Sequence, residues 1–276
     1  VIQGYVKTGL RIAVNGVFGN LGVASAALLT GYLVDQSGWR SAFIWPGLVT
    51  IVIGVGYAFL VARVHSKEPS ADEGEASPAT AIAGNLQLGR NLLIRIFAIV
   101  FFSTAVGSLV FQSTTFSLPK IFDERLGDLA ISATLVGWYA FVVFAIASMG
   151  QLVVGYLLDR FSIKAIFVGV AIFQVVFFLA MIGRVGSIAL LISIAFMLVV
   201  FGQIPINDVL VGRVTKTEWR SRAYGLRYVI GFTVMASAVP MVAWIYARWS
   251  FDALFVVLAA ASAGILIAVM MLPRQL

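Results

Sequence analysis

Long apolar runs alternate with short polar breaks along almost the whole chain. Eight runs, at about residues 11–34, 41–63, 92–116, 133–157, 165–183, 187–209, 224–247 and 253–273, are each long enough to cross the roughly 30 Å hydrocarbon core of a bilayer as a helix. The pattern predicts an all-α polytopic membrane protein. One long polar stretch interrupts it, HSKEPSADEGEASPATAIAGNLQLGR, with Pro69, Pro78, Glu68, Asp72, Glu73 and Glu75. That stretch has too little apolar surface to fold alone, so residues 64–91 read as a linker between membrane units at 1–63 and 92–276.

Composition narrows the reading further. Of 276 residues 61% are hydrophobic and 11% charged, against roughly 25% charged in an ordinary soluble domain. The net charge of +7 does not point to nucleic acid, because the basic residues lie in short breaks between apolar runs instead of on one soluble face. Sorted by alternate side, 14 of the 19 Lys and Arg fall with the linker and both ends of the chain, and 5 (Arg40, Lys120, Arg125, Arg184, Arg248) fall opposite. The positive-inside rule then makes the first side cytoplasmic. Trp39, Trp45, Trp138, Tyr139, Trp244, Tyr246 and Trp249 gather near the outer interface. Cysteine is absent, which excludes disulfide, thiolate and Cys-based metal chemistry, and the lone His65 sits in the linker as a solvated side chain.

Weak internal symmetry is also visible. Gly9-Leu10-Arg11 opens the first run and Gly225-Leu226-Arg227 the seventh; each run is followed by a short outer loop carrying a tryptophan, SGWRSAF or RWSFDALF. Runs one and two therefore read as a copy of runs seven and eight. Runs three to eight then form a complete six-helix half. The chain opens on Val1 without a charged leader, and is expected to be a fragment whose first half lacks four helices.

Gly155-x-Leu157-x-Asp159-Arg160-x-x-x-Lys164 resembles the G-x-L-x-D-R-x-x-x-[RK] signature of the major facilitator superfamily, and falls between the second and third runs after the linker, where the family carries it. Arg220-x-Arg222-Ala223-x-Gly225, the outer segment Leu118-Pro119-Lys120-Ile121-Phe122 and the glycine-rich GVFGNLG are similar to further family features. The resemblance spans essentially the whole chain, with the eight runs corresponding to family helices five to twelve of a two-half bundle.

Asp159 is placed at the C-terminal end of a helix, where the macrodipole disfavours an unpaired carboxylate. Arg160 and Lys164 are in reach across a tight turn as compensating partners, and Gly155 admits a close neighbour. The resemblance implies that this Asp also faces a helix N-terminus in the opposite half and locks the cytoplasmic side closed. The start of the first run, around Gly9 to Arg11, is the expected partner, with Asp159–Arg11 as the contact to look for.

Substrate contacts are expected from uncharged polar residues. An amide in hydrocarbon seeks a partner on another helix or in a watery cavity. The resemblance implies that the first, second, fourth and fifth helices of each half line the cavity, which favours Asn20, Gln112, Gln151 and Gln203 over Gln174, with Tyr139 among the aromatic candidates. No ionisable residue lies near the centre of a run. Arg95, Arg227 and Asp208 fall within about two turns of cytoplasmic ends, where snorkelling or a local pair accounts for them. Pro205 removes one backbone hydrogen bond from the sixth run and is a candidate gate; Pro240 is a weaker one.

The function expected is secondary active or facilitative transport of a small solute by alternating access. The alternative is a non-transporting relative or a receptor. An enzyme is not expected, because the chemistry needs a nucleophile with its base, a carboxylate pair or metal ligands, and the chain offers one linker histidine and no acid near the centre of a run. No cofactor, metal or nucleic-acid partner is expected. The partners are a small-molecule substrate and the lipid bilayer, with proton coupling open and the protein a monomer. The resemblance places it as a multi-pass protein of the plasma membrane, the inner membrane of a bacterium.

Overall fold

The structure is a computed structural model that describes residues 8–65, 90–215 and 219–273. Among the described residues eight α-helices follow one another: α1 (Thr8–Ser37), α2 (Ser41–His65), α3 (Arg90–Arg125), α4 (Ala133–Leu158), α5 (Ile163–Ala180), α6 (Gly186–Val214), α7 (Arg220–Arg248) and α8 (Phe251–Met270). All eight are long and apolar enough to span a membrane. The fold class is therefore the one the apolar pattern predicts, and among the described residues there are no strands. Most of the linker lies outside the described residues; α2 closes at His65 and α3 opens at Arg90, at its two edges.

Local chemistry sets several helix ends. Ser132, Ser162 and Ser250 are N-caps whose hydroxyls accept from Leu135, Ala165 and Asp252 backbone N–H groups. Gly38, at φ 79°, makes the tight turn between α1 and α2 in a conformation that favours glycine. The segment Leu118–Phe122, read as lying beyond the third run, is part of it, because α3 continues as helix through Pro119 to Arg125. Leu118, Ile121 and Phe122 share one helix face and are all buried, so the core on that face keeps the helix going past the proline.

Within a bilayer, helices do not gain by hiding apolar surface from one another, so packing and interhelical hydrogen bonds decide which faces meet. Two apolar layers result. One is built around Phe144, Phe178, Phe196, Phe201 and Phe255; the other around Ile96, Leu158, Phe167, Leu210 and Ile265. Between them sits a polar level, in which Gln174 of α5 donates to Gln203 of α6 at 2.8 Å and Ser103 of α3 donates to Asn207 of α6 at 3.4 Å. Where α3 ends and α8 begins, Asp252 of α8 ties three helices, pairing with Arg125 of α3 at 2.6 Å and accepting from Gly183 N–H beyond α5 at 2.8 Å.

The first two helices stand apart from this arrangement. α1 packs along α4 for most of its length and α2 packs chiefly on α1. The face of α2 is exposed almost throughout, with Phe43, Ile51, Val52 and Tyr57 among its open side chains.

Candidate functional site

α4 ends at Leu158, with Asp159 as its C-cap. The Asp159 carboxylate points at the first turn of α1, where Oδ1 accepts from the Gly9 N–H at 2.9 Å and Oδ2 from the Leu10 N–H at 3.2 Å. Among the described residues α1 opens at Thr8, so these N–H groups belong to its first turn and the positive end of its dipole faces the carboxylate. Close approach makes the geometry possible. A methyl group on Gly9 would lie 2.5 Å from the Gly155 carbonyl oxygen, and one on Gly155 would lie 2.6 Å from Ala13 Cβ.

The charged neighbours of Asp159 do something other than compensate it. Lys164 Nζ donates to the Met270 carbonyl at 2.8 Å and also to the Leu272 carbonyl, capping the end of α8. Arg160 lies over the Tyr156 ring, 4.4 Å from its centroid. The reading of Arg160 and Lys164 as partners of the carboxylate is thus corrected: the negative end of α8 draws the lysine, an aromatic face holds the arginine, and backbone N–H groups serve Asp159. Arg11 lies on α1, and its side chain is outside the described residues.

A matching contact at the other end of the same helix pair was not foreseen. Asp35, in the last turn of α1, accepts from the Thr134 N–H of α4 at 2.7 Å and also from the Thr134 hydroxyl. The signal was available, since a carboxylate at a helix C-terminus needs an outside partner whichever helix carries it.

A cavity of about 170 Å³ opens between α3, α6 and α7. Thr104, Gly107, Phe111, Gln203, Asn207, Arg227, Tyr228, Phe232 and Met235 are among its walls. Of the residues expected to contact substrate, Gln203 lines it. Asn20, Gln112, Tyr139 and Gln151 do not. Asn20 is buried on α1, Gln112 and Tyr139 are half-buried, and Gln151 is buried where α4 meets Gly16 of α1. Gln174 reaches the cavity only through its bond to Gln203. Pro205 stands on α6 between Gln203 and Asn207 but does not itself line the cavity, and α6 runs through it unbroken.

Arg227 brings a charge to the cavity that its sequence position hides. It pairs with Asp208 and is itself buried, while Tyr224 donates to the Asp208 backbone carbonyl at 2.8 Å. At 1.5 Å per residue, seven residues from the start of α7 put its backbone about 10 Å below the end of the helix.

Helices of spanning length, packed around a largely apolar cavity with a few buried polar groups, define a polytopic helical membrane protein. The chain belongs to the major facilitator superfamily, whose model matches residues 6–127 and 100–275 and so takes in nearly the whole sequence. Members of that family are membrane transporters, not enzymes, and bind small-molecule substrates. A comparison with curated proteins returns no match.

Proposed function

We propose that the protein is a secondary active or facilitative carrier that moves a small solute by alternating access. In this reading α1 and α2 belong to one half, α3 to α8 form the other, and the α1–α4 seam is where the halves part. The observation that carries it is the Asp159 contact. A carboxylate on one half held by the open N–H groups of a helix on the other is a reversible clasp, because water can replace every bond it makes when the halves separate. Asp159 with Gly9, Leu10 and Gly155 forms the clasp at the inner end. The excess of Lys and Arg at that end makes it cytoplasmic. Pro205, which leaves one α6 carbonyl without its helical donor beside the cavity, gives the inner part of α6 freedom to bend as a gate.

The absence of native cysteine makes a direct test available. Ala13, fully buried on α1 beside Gly155, is replaced by cysteine in sealed vesicles as a reporter for the inner end. Losing the charge in Asp159→Asn removes about 2 kcal/mol of charge–dipole and hydrogen-bond stabilisation from the closed inner side. Labelling of Ala13→Cys by a thiol reagent on the cytoplasmic side should rise by up to roughly thirtyfold. Labelling that is the same with Asp159 and with Asn would reject the carrier reading of the seam.

A further inference from the structure

The cavity between α3, α6 and α7 is chemically one-sided. Thr104, Gln203, Asn207 and Arg227 are each less than one-tenth exposed. Two side-chain acceptors beside it are already engaged: Asn207 Oδ1 accepts from Ser103, and Asp208 Oδ1 from Arg227. Donor capacity is left over. Arg227 Nε and Thr104 Oγ1 are buried without a partner, and the Gln203 amide keeps one end unpartnered after its bond to Gln174.

A guanidinium can only donate, and a buried N–H with nothing to bond is costly to leave so. The Arg227–Asp208 pair does not consume this capacity, since it uses Nη1 and leaves Nε open. Nor are its two members placed alike. The Asp208 side chain is 21% exposed against 10% for Arg227, so the carboxylate is the better hydrated partner and the guanidinium the deeper one. Around these donors stand Phe111, Phe232 and Met235, which offer only apolar surface. A ligand that fits brings acceptor atoms with negative charge at one end and an apolar body at the other.

We propose that this cavity binds the acidic group of a small organic anion, with Arg227 as its anchor, Thr104 and Gln203 as flanking donors, and the apolar body of the solute against Phe111, Phe232 and Met235. This names the substrate class within the carrier reading and rests on it, but its test reads binding alone. It also departs from the expectation drawn from the sequence that substrate contacts are uncharged.

The test uses benzoate, benzamide and benzylamine, three probes of one shape and different charge, titrated against the purified protein while the thermal unfolding midpoint is followed. Binding to the folded state raises the midpoint. Benzoate should raise it and the other two should not. Arg227→Gln should abolish the benzoate response, and Arg227→Lys should weaken it about tenfold, because a lysine keeps the charge without the planar fork. Removing Arg227 alone leaves Asp208 without its partner and can prevent folding. The paired change Arg227→Gln with Asp208→Asn removes both charges together, and it too should be silent to benzoate. An equal response to benzamide, a stronger one to benzylamine, no response to any probe, or a benzoate response that survives loss of Arg227 would overturn the proposal. A silent benzoate titration beside an intact Asp159→Asn labelling shift overturns the anion site and leaves the carrier reading standing; benzoate binding without that shift does the reverse.

Discussion

Asp35 and Asp159 hold opposite ends of the same antiparallel helix pair, each at the C-terminal end of its own helix and each accepting backbone N–H groups from the first turn of the other. Asp159 takes Gly9 and Leu10 of α1; Asp35 takes Thr134 of α4. The arrangement is reciprocal because the physical requirement is the same at both ends. A carboxylate opposed by its own helix dipole is stabilised by the N-terminus of the neighbour.

If the halves rock about this seam, the two contacts favour opposite closures. Asp35→Asn should raise labelling of a cysteine placed at Ala27, whose carbonyl faces Gly137 toward the outer end, without raising labelling at Ala13. Asp159→Asn should do the converse. Asp35 is the more hydrated of the two, so its effect should be the smaller and the more sensitive to salt. Equal changes at both reporters in either variant would show that the contacts merely fasten two helices.

Packing at the inner contact makes a separate demand. Gly155→Val would drive side-chain atoms into Ala13 and the Gly9 carbonyl, the latter only 2.7 Å from where a Cβ would stand. Overpacking of this kind costs about 1–3 kcal/mol, and it acts by separating α1 from α4. The unfolding midpoint should fall and Ala13→Cys labelling should rise together. Gly225→Ala is the matched control, because a Cβ there meets nothing within 4 Å and alanine favours the helix by roughly 1 kcal/mol.

The spans were legible because an apolar run of about 20 residues is a one-dimensional signal. The Asp159 contact was legible because its motif is local and a helix-end carboxylate states its own need. Which side of α7 carries Arg227 into a cavity was not legible. A membrane helix is apolar on nearly every face, so no polar stripe reports its rotation. Arg227 stands near a helix end in sequence, yet its side chain is aimed inward by contacts with α3 and α6 that are remote along the chain. Gln112 and Tyr139 failed to reach that cavity for the same reason: the helix was assigned and its facing was not.

Lys164 belongs to the same motif as Asp159 but should behave differently. It bonds the Met270 and Leu272 carbonyls, joining α5 to α8 on one side of the seam. Lys164→Met should lower the unfolding midpoint by the modest effect of a lost C-terminal cation, about 0.3–1 kcal/mol. Labelling at Ala13→Cys should stay unchanged. A labelling shift as large as that of Asp159→Asn would place Lys164 in the clasp itself.

The Gln174–Gln203 bond lies between the two apolar layers, and its worth can be separated from its neighbours' by a double-mutant cycle. Gln174→Leu removes the only donor to Gln203 Oε1 given by α5 and leaves a buried amide short of a partner, at a cost of roughly 1–3 kcal/mol. Gln203→Leu strands Gln174 in the same way, and Gln174 has no exposure at all to recover by meeting water. The double leucine variant removes both needs at once and should be more stable than the sum of the single losses implies, by roughly 1 kcal/mol or more. Its consequence for binding is different, because Gln203 also lines the cavity and Gln174 does not. Gln174→Leu should therefore weaken benzoate binding less than Gln203→Leu does, even where the two lower the unfolding midpoint equally. Equal losses of binding would mean that the pair positions the cavity wall as one unit, with no separate part for the Gln203 amide.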